Sequence, residues 1–223
     1  MLFRSNKVPR ARHYVASMIW RNRHHDMTWM SAASLYIAQK SWSNALRALD
    51  RLAEKNTIAV VDAYGVVLTG LGRHEEAIQS YESFILEDPD NMLALQQFAT
   101  FLLRNGNASS AYQYAQRVNH ANQHNVDVLL LLGQISYELA MFNEAQQYLE
   151  NALEYAPNRI DVLTTYSKTL LALGQKRHAY AVALQAHGID STSIESLVSV
   201  ANALYRSEEH TSELQSRQYL VCR

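Results

Sequence analysis

The sequence is poor in the residues that punctuate or staple a chain. Its 223 residues include one cysteine, three prolines and seven glycines. One cysteine excludes a disulfide framework and a cysteine-based zinc site. So little proline and glycine, beside 48% hydrophobic residues, excludes collagen-like, low-complexity and disordered classes. No run approaches the ~18 uninterrupted apolar residues that a membrane-spanning helix needs. An excess of one charge is also missing, since the formal net charge is −1. That near-neutral total conceals a division. Lys7, Arg10, Arg12, Arg21 and Arg23 give residues 6–25 a charge of +5 with no acid, whereas residues 26–205 hold 11 basic and 18 acidic residues, −7 net.

The two ends read differently from the middle. Arg206 to Ser216, RSEEHTSELQS, resembles the translation of a short-read sequencing-library adapter. After a variable index the adapter resumes as Leu220-Val221-Cys222-Arg223. Met1-Leu2-Phe3-Arg4-Ser5 resembles the opposite-strand adapter in the same way. Residues 1–5 and 206–223 are therefore set aside from reasoning about the fold. The expectation is a natural segment of about residues 6–205, internal to a longer chain. It then holds no cysteine, which suits a reducing, cytoplasmic compartment.

The middle repeats. Ala45, Ala77, Ala111, Ala145 and Ala179 are separated by steps of 32, 34, 34 and 34 residues. Gly72, Gly106 and Gly174 share the period, with Ala140 in the remaining slot. Leu95, Leu129, Leu163 and Leu197 form a third series at 34, with Trp29 near the same register. Shared periods of this length indicate stacked supersecondary units. Each period reads as two amphipathic helices. Val60, Tyr64, Val67, Leu68 and Leu71 follow i, i+4, i+7, i+8, i+11. Gly72-Arg73-His74 then supplies a turn. Ala77, Ile78, Tyr81, Phe84 and Ile85 form the apolar side of a second helix, with Glu75 and Glu76 at its positive N-terminal end. Pro89 cannot continue it. Small residues at Ala33, Gly65, Ala99, Gly133, Ser167 and Ala201 mark where paired backbones come close.

These residues resemble the tetratricopeptide repeat family. Residues 58–91 carry Tyr64, Gly65, Leu68, Ala77, Tyr81, Phe84 and Pro89 of its pattern. Residues 126–159 carry Leu129, Leu132, Gly133, Ala145, Leu149, Ala152 and Pro157. Residues 26–57 carry Trp29, Ala33, Tyr36, Ala45, Leu49 and Leu52. Residues 92–125 and 160–193 follow the pattern but have Gln123 and Ser191 in place of the terminal proline, and 194–205 is a truncated first helix. Ala11, Tyr14, Val15, Met18 and Ile19 lie on one helical face, so residues 6–25 read as the second helix of a preceding repeat. The resemblance implies an all-α fold: a right-handed superhelical solenoid of antiparallel helix pairs.

No catalytic pattern accompanies the repeats. There is no phosphate loop, dinucleotide-binding turn or HExxH motif, and the expectation is a noncatalytic chain without cofactor or metal. His120 and His124 stand at i, i+4 but at the end of a second helix, where surface histidines are the simpler reading. Asn107-Ala108-Ser109 fits a glycosylation acceptor, yet Asn is ordinary in a turn. The basic segment lacks an aromatic stacking platform, so no nucleic-acid partner is expected.

Function is then expected on a surface. In the family the concave face is lined by first helices, which implies a groove made by Met27, Met30, Ser34 and Ile37, then Asp62, Val66 and Thr69. Leu93, Gln96, Thr100 and Leu103 follow, then Asp127, Leu130, Gln134 and Tyr137, then Asp161, Thr164 and Lys168. Asp62, Val66 and Gln97 occupy places where some members clamp a terminal carboxylate with basic residues and Asn, so that clamp is not expected. The mixed groove suits an extended peptide or an amphipathic helix of a protein partner. The alternatives are the repeat portion of a larger enzyme, such as a glycosyltransferase, or of a secretion, pilus or exopolysaccharide assembly factor or chaperone. Self-association through the bare apolar face of Leu197, Val200 and Leu204 is also expected.

Overall fold

The computed structural model describes residues 26–194 and 196–204, together with Ser17. The expected helix of residues 6–25, Ser17 apart, and the adapter-like ends lie outside the described residues. All regular structure among the described residues is helical. The elements are α1 (Asp26–Ala38), α2 (Trp42–Leu49), α3 (Ile58–Gly70), α4 (His74–Glu87), α5 (Met92–Arg104), α6 (Ala108–Ala121), α7 (Val126–Glu138), α8 (Phe142–Tyr155), α9 (Ile160–Ala172) and α10 (Lys176–Ile189). Residues 196–204 are helical as well. The chain forms two compact units, residues 1–98 and 99–223, divided inside α5.

One turn joins the two helices of every pair. The backbone N–H five residues on donates to the same place in each first helix: Ser41 to Tyr36, Arg73 to Leu68, Asn107 to Leu102, Met141 to Ser136 and Gln175 to Leu170, all at 2.8–2.9 Å. This satisfies a carbonyl left unpaired at the helix end and requires a left-handed residue between. Gly72, Gly106 and Gly174 take that conformation at φ 76–79°, while Lys40 and Ala140 take it at 55° and 58° despite their side chains.

In the first unit, Ala32 and Ala33 of α1 pack with Ala45, Ala48 and Leu49 of α2 and with Val60 and Val67 of α3. Tyr81 of α4 stacks on Phe98, ring centroids 5.0 Å apart. In the second unit, Leu129, Leu149, Leu163, Tyr166, Leu170 and Ala179 belong to one buried cluster. Each fully buried Leu contributes about 1.5–3 kcal/mol. Gly133 permits close approach there, because a Cβ on it would stand 2.7 Å from Cγ of Leu149. Ser167 Oγ fills the equivalent slot in α9 and donates to the Ala179 carbonyl at 2.9 Å.

Candidate functional site

The first helices carry the expected groove residues, and the structure sorts them. In the second unit an open depression of about 320 Å³ is lined by Leu103, Gln134, Tyr137, Glu138, Thr165 and Lys168. Leu103 comes from α5, Gln134, Tyr137 and Glu138 from α7, and Thr165 and Lys168 from α9. The helical repeat makes this possible: Gln134 and Glu138 are one turn apart on α7, and so on a single face. The Tyr137 ring meets Phe142 edge-on at 5.5 Å, which steadies its orientation. Thr165 donates its hydroxyl to the Asp161 carbonyl at 2.7 Å. Among the described residues no ion pair ties down Glu138 or Lys168. The lining thus combines an apolar and an aromatic side chain with an amide, a hydroxyl and one charge of each sign.

Leu130 and Thr164, expected in the groove, are a correction. They are only 7% and 1% exposed. Leu130 belongs to the buried cluster, and Thr164 donates to the Asp161 carbonyl at 3.1 Å. Glu138 and Thr165, which the family pattern did not name, line the depression instead. Each is one residue along from an expected or neighbouring groove place. Polar residues beside such places were the available signal.

Asp127 and Asp161 are joined through one cation. Arg159 reaches Asp127 at 2.6 Å and pairs bidentately with Asp161 at 2.9 and 3.0 Å. The Asp161 bond, more than the Asp127 bond, raises the arginine above its ordinary basicity. One guanidinium thus neutralises one of the two carboxylates, and the cluster keeps one net negative charge. Thr100 is half-buried.

The candidates of the first unit are reported by themselves. Met27 and Leu93 are 71% and 53% exposed, whereas Met30 and Ile37 pack partly against the α1–α2 core. Ser34 turns back to the Met30 carbonyl at 2.9 Å. Asp62 accepts the Tyr81 hydroxyl at 2.6 Å. Val66, Thr69 and Gln96 are half-buried.

Other expected features resolve simply. Asn107 caps α6, its side-chain oxygen accepting from the Ser110 N–H at 3.3 Å. His120 and His124 are exposed, and the His124 ring lies 5.0 Å from that of Tyr155. Among the described residues no three His, Cys, Asp or Glu side chains gather as a metal site. None of the described helices is long and apolar enough to cross a membrane.

Helix pairs recurring at one period, closed by one repeated turn and packed through small residues, define an α-helical repeat protein. The comparisons with known proteins name the kind of repeat. Tetratricopeptide repeat profiles match residues 68–135 and 126–159, so these residues carry tetratricopeptide repeats. It is 26% identical over 114 residues to Protein bimA of Emericella nidulans, a stretch covering 51% of this chain and 14% of that protein. The chain thus spans a minor part of that relative's length. Among solved structures it resembles PilW, described as a type IV pilus biogenesis factor, with TM-score 0.67, 18% identity, and 86% and 90% of the two chains covered. YrrB, described as a TPR protein with an unusual peptide-binding site, gives 0.56, 17%, and 82% and 95%. MamA from Desulfovibrio magneticus gives 0.58, 16%, and 85% and 98%. At these identities the likenesses concern the fold.

Proposed function

We propose that the chain is a noncatalytic protein-interaction scaffold, and that the second unit binds a peptide or amphipathic helix of a protein partner at the Leu103–Tyr137–Lys168 depression. The observation that carries this reading is the meeting of three first helices around one open, mixed-polarity hollow. Its volume is near the lower end of the roughly 300–1,000 Å³ seen for ligand sites, as suits one anchoring side chain. Leu103 and Tyr137 receive that apolar anchor. Gln134 can both donate to and accept from a peptide backbone. Lys168 and Glu138 then favour an acidic and a basic side chain on either side, which sets direction more than affinity. The described peptide-binding site of YrrB, which shares the fold, is consistent with this use. In the first unit, Met27 and Leu93 provide separate apolar contact places.

The experiment is a selection of displayed peptides on the intact chain, followed by titration of the enriched sequences against Tyr137→Ala/Gln134→Ala. The expected result is at least a tenfold loss of affinity, about 1.4 kcal/mol, with the fold unchanged by circular dichroism. Equal binding to the variant would overturn the assignment of the depression.

A further inference from the structure

The turn between α5 and α6 differs from its sister turns by one residue. The left-handed residue of each turn is Lys40, Gly72, Gly106, Ala140 or Gly174. The residue before it is Gln39, Leu71, Asn105, Leu139 or Leu173. Asn105-Gly106 is the one Asn-Gly pair in the sequence. Such a pair sets an electrophile beside a nucleophile. The backbone nitrogen of Gly106 can reach the side-chain amide carbon of Asn105 by closing a five-membered ring, and glycine has no side chain to shield that nitrogen. Asn105 is exposed, so water has access.

In the closed turn both groups are tied elsewhere. Asn105 Nδ2 donates to the Phe101 carbonyl at 2.8 Å, which holds the side chain back along α5 and away from the residue that follows. The Gly106 N–H donates to the Leu103 carbonyl at 3.0 Å. The Asn105 N–H is shared between the Phe101 and Leu102 carbonyls at 3.1 and 3.2 Å, and the Asn107 N–H donates to Leu102 at 2.9 Å. Ring closure therefore requires this helix end to open first, and chain segments at helix ends open at less cost than a core does.

We propose that Asn105 is a site of spontaneous deamidation, gated by opening of the α5–α6 turn. The Gly106 nitrogen gives up its proton and bonds to Cγ of Asn105. The Cγ–Nδ2 bond breaks, and the amide nitrogen leaves as ammonia with a proton gained in exchange. Water then opens the succinimide ring at either carbonyl, giving aspartate or isoaspartate. Only water is consumed. The product does not restore the turn. A carboxylate in place of the amide sets two acceptors against each other at the Phe101 carbonyl, and it adds negative charge at the negative end of α5. Isoaspartate also lengthens the main chain between the Leu102 carbonyl and the Asn107 N–H, which now bond across the turn. The modification is thus a one-way record of the time the turn has spent open.

Peptide mapping of the intact chain, incubated in mildly alkaline buffer with and without urea, tests this. Aspartate and isoaspartate are read by mass and by enzymatic methylation of isoaspartate. The expected result is product at Asn105 in both conditions, formed at least about tenfold more slowly in the folded chain. Asn107→Ala removes the α6 cap and leaves the Asn-Gly pair intact. It should speed the reaction of the folded chain about threefold or more and leave the rate in urea unchanged. Asn105→Asp should lower the urea midpoint. No product at Asn105 in the folded chain, equal rates with and without urea, an Asn107→Ala rate equal to wild type in the folded chain, or an unchanged midpoint in Asn105→Asp would each overturn the proposal.

Discussion

Replacing Gly133 with alanine adds one methyl group at a place where the structure leaves no room. The new Cβ would lie 2.7 Å from Cγ and 2.8 Å from Cδ2 of Leu149. Cγ is the branch point of that side chain, and Leu149 is 0% exposed, so it cannot swing away without disturbing its neighbours. Two effects oppose each other. Alanine within a helix is favoured over glycine by about 0.5–1 kcal/mol. Overpacking a filled core costs about 1–3 kcal/mol. Overpacking wins, and Gly133→Ala should destabilise by roughly 0.5–2 kcal/mol. Leu149→Ala alone should cost about 2–5 kcal/mol by leaving a cavity. In the double variant the added methyl enters the vacated space, so the total loss should fall short of the sum by at least ~1 kcal/mol, within the range for touching residues. Urea denaturation followed by circular dichroism reads all four proteins at a common m-value. Additive effects, or a stabilised Gly133→Ala, would refute the close approach of α7 and α8.

Three further perturbations probe the turns, the tyrosines and the surface charges. Ala140→Gly should stabilise by about 0.5–1 kcal/mol, because relief of a left-handed residue, roughly 1–2 kcal/mol, exceeds the added freedom of the unfolded chain; a lowered urea midpoint would contradict it. Tyr166→Phe should cost about 1 kcal/mol through loss of the 2.7 Å bond to Glu150. Burial, and then that bond, hold the Tyr166 hydroxyl above the ordinary phenol range, so its spectroscopic titration should begin only beyond normal tyrosine. The Arg73 hydrogen bond at 2.6 Å holds the Glu76 carboxyl below its ordinary value. A lowered value means the stabilisation is complete only above the ordinary glutamate range, from roughly pH 5, and is lost as pH falls through the lowered value, an effect that Glu76→Gln and high salt should both remove. Equal acid sensitivity in Glu76→Gln would exclude that pair as its source.

Much of the local structure follows from spacing. Ala45, Ala77, Ala111, Ala145 and Ala179, marked by their common period, are all 0% exposed. The apolar run from Val60 to Leu71 appears as α3, with Leu71 capping it, and Glu87 ends α4 just before Pro89. A helix face is a property of residues three and four apart, so it is legible from the chain. Which neighbour covers that face is a separate matter. Leu130 and Thr164 share first-helix register with exposed residues, yet neighbouring side chains enclose Leu130 and a bond to the Asp161 carbonyl turns Thr164 inward. Asp62 looks like a groove acid until Tyr81, 19 residues on, donates to it. Asp127 and Asp161 are tied by Arg159. Periodicity says nothing about such cross-helix partners.

The sequence by itself determined the helices, their paired turns and the small residues at their crossings, because each depends on side chains within one or two helical turns of one another. Only the tertiary structure decided that Leu103, Gln134, Tyr137, Glu138, Thr165 and Lys168 share one hollow, and that Ser196 and Ser199 are buried while Leu197 is half exposed. Those outcomes depend on how helices far apart in the chain pack side by side. That packing is set by contact between surfaces, which spacing along a single helix does not encode.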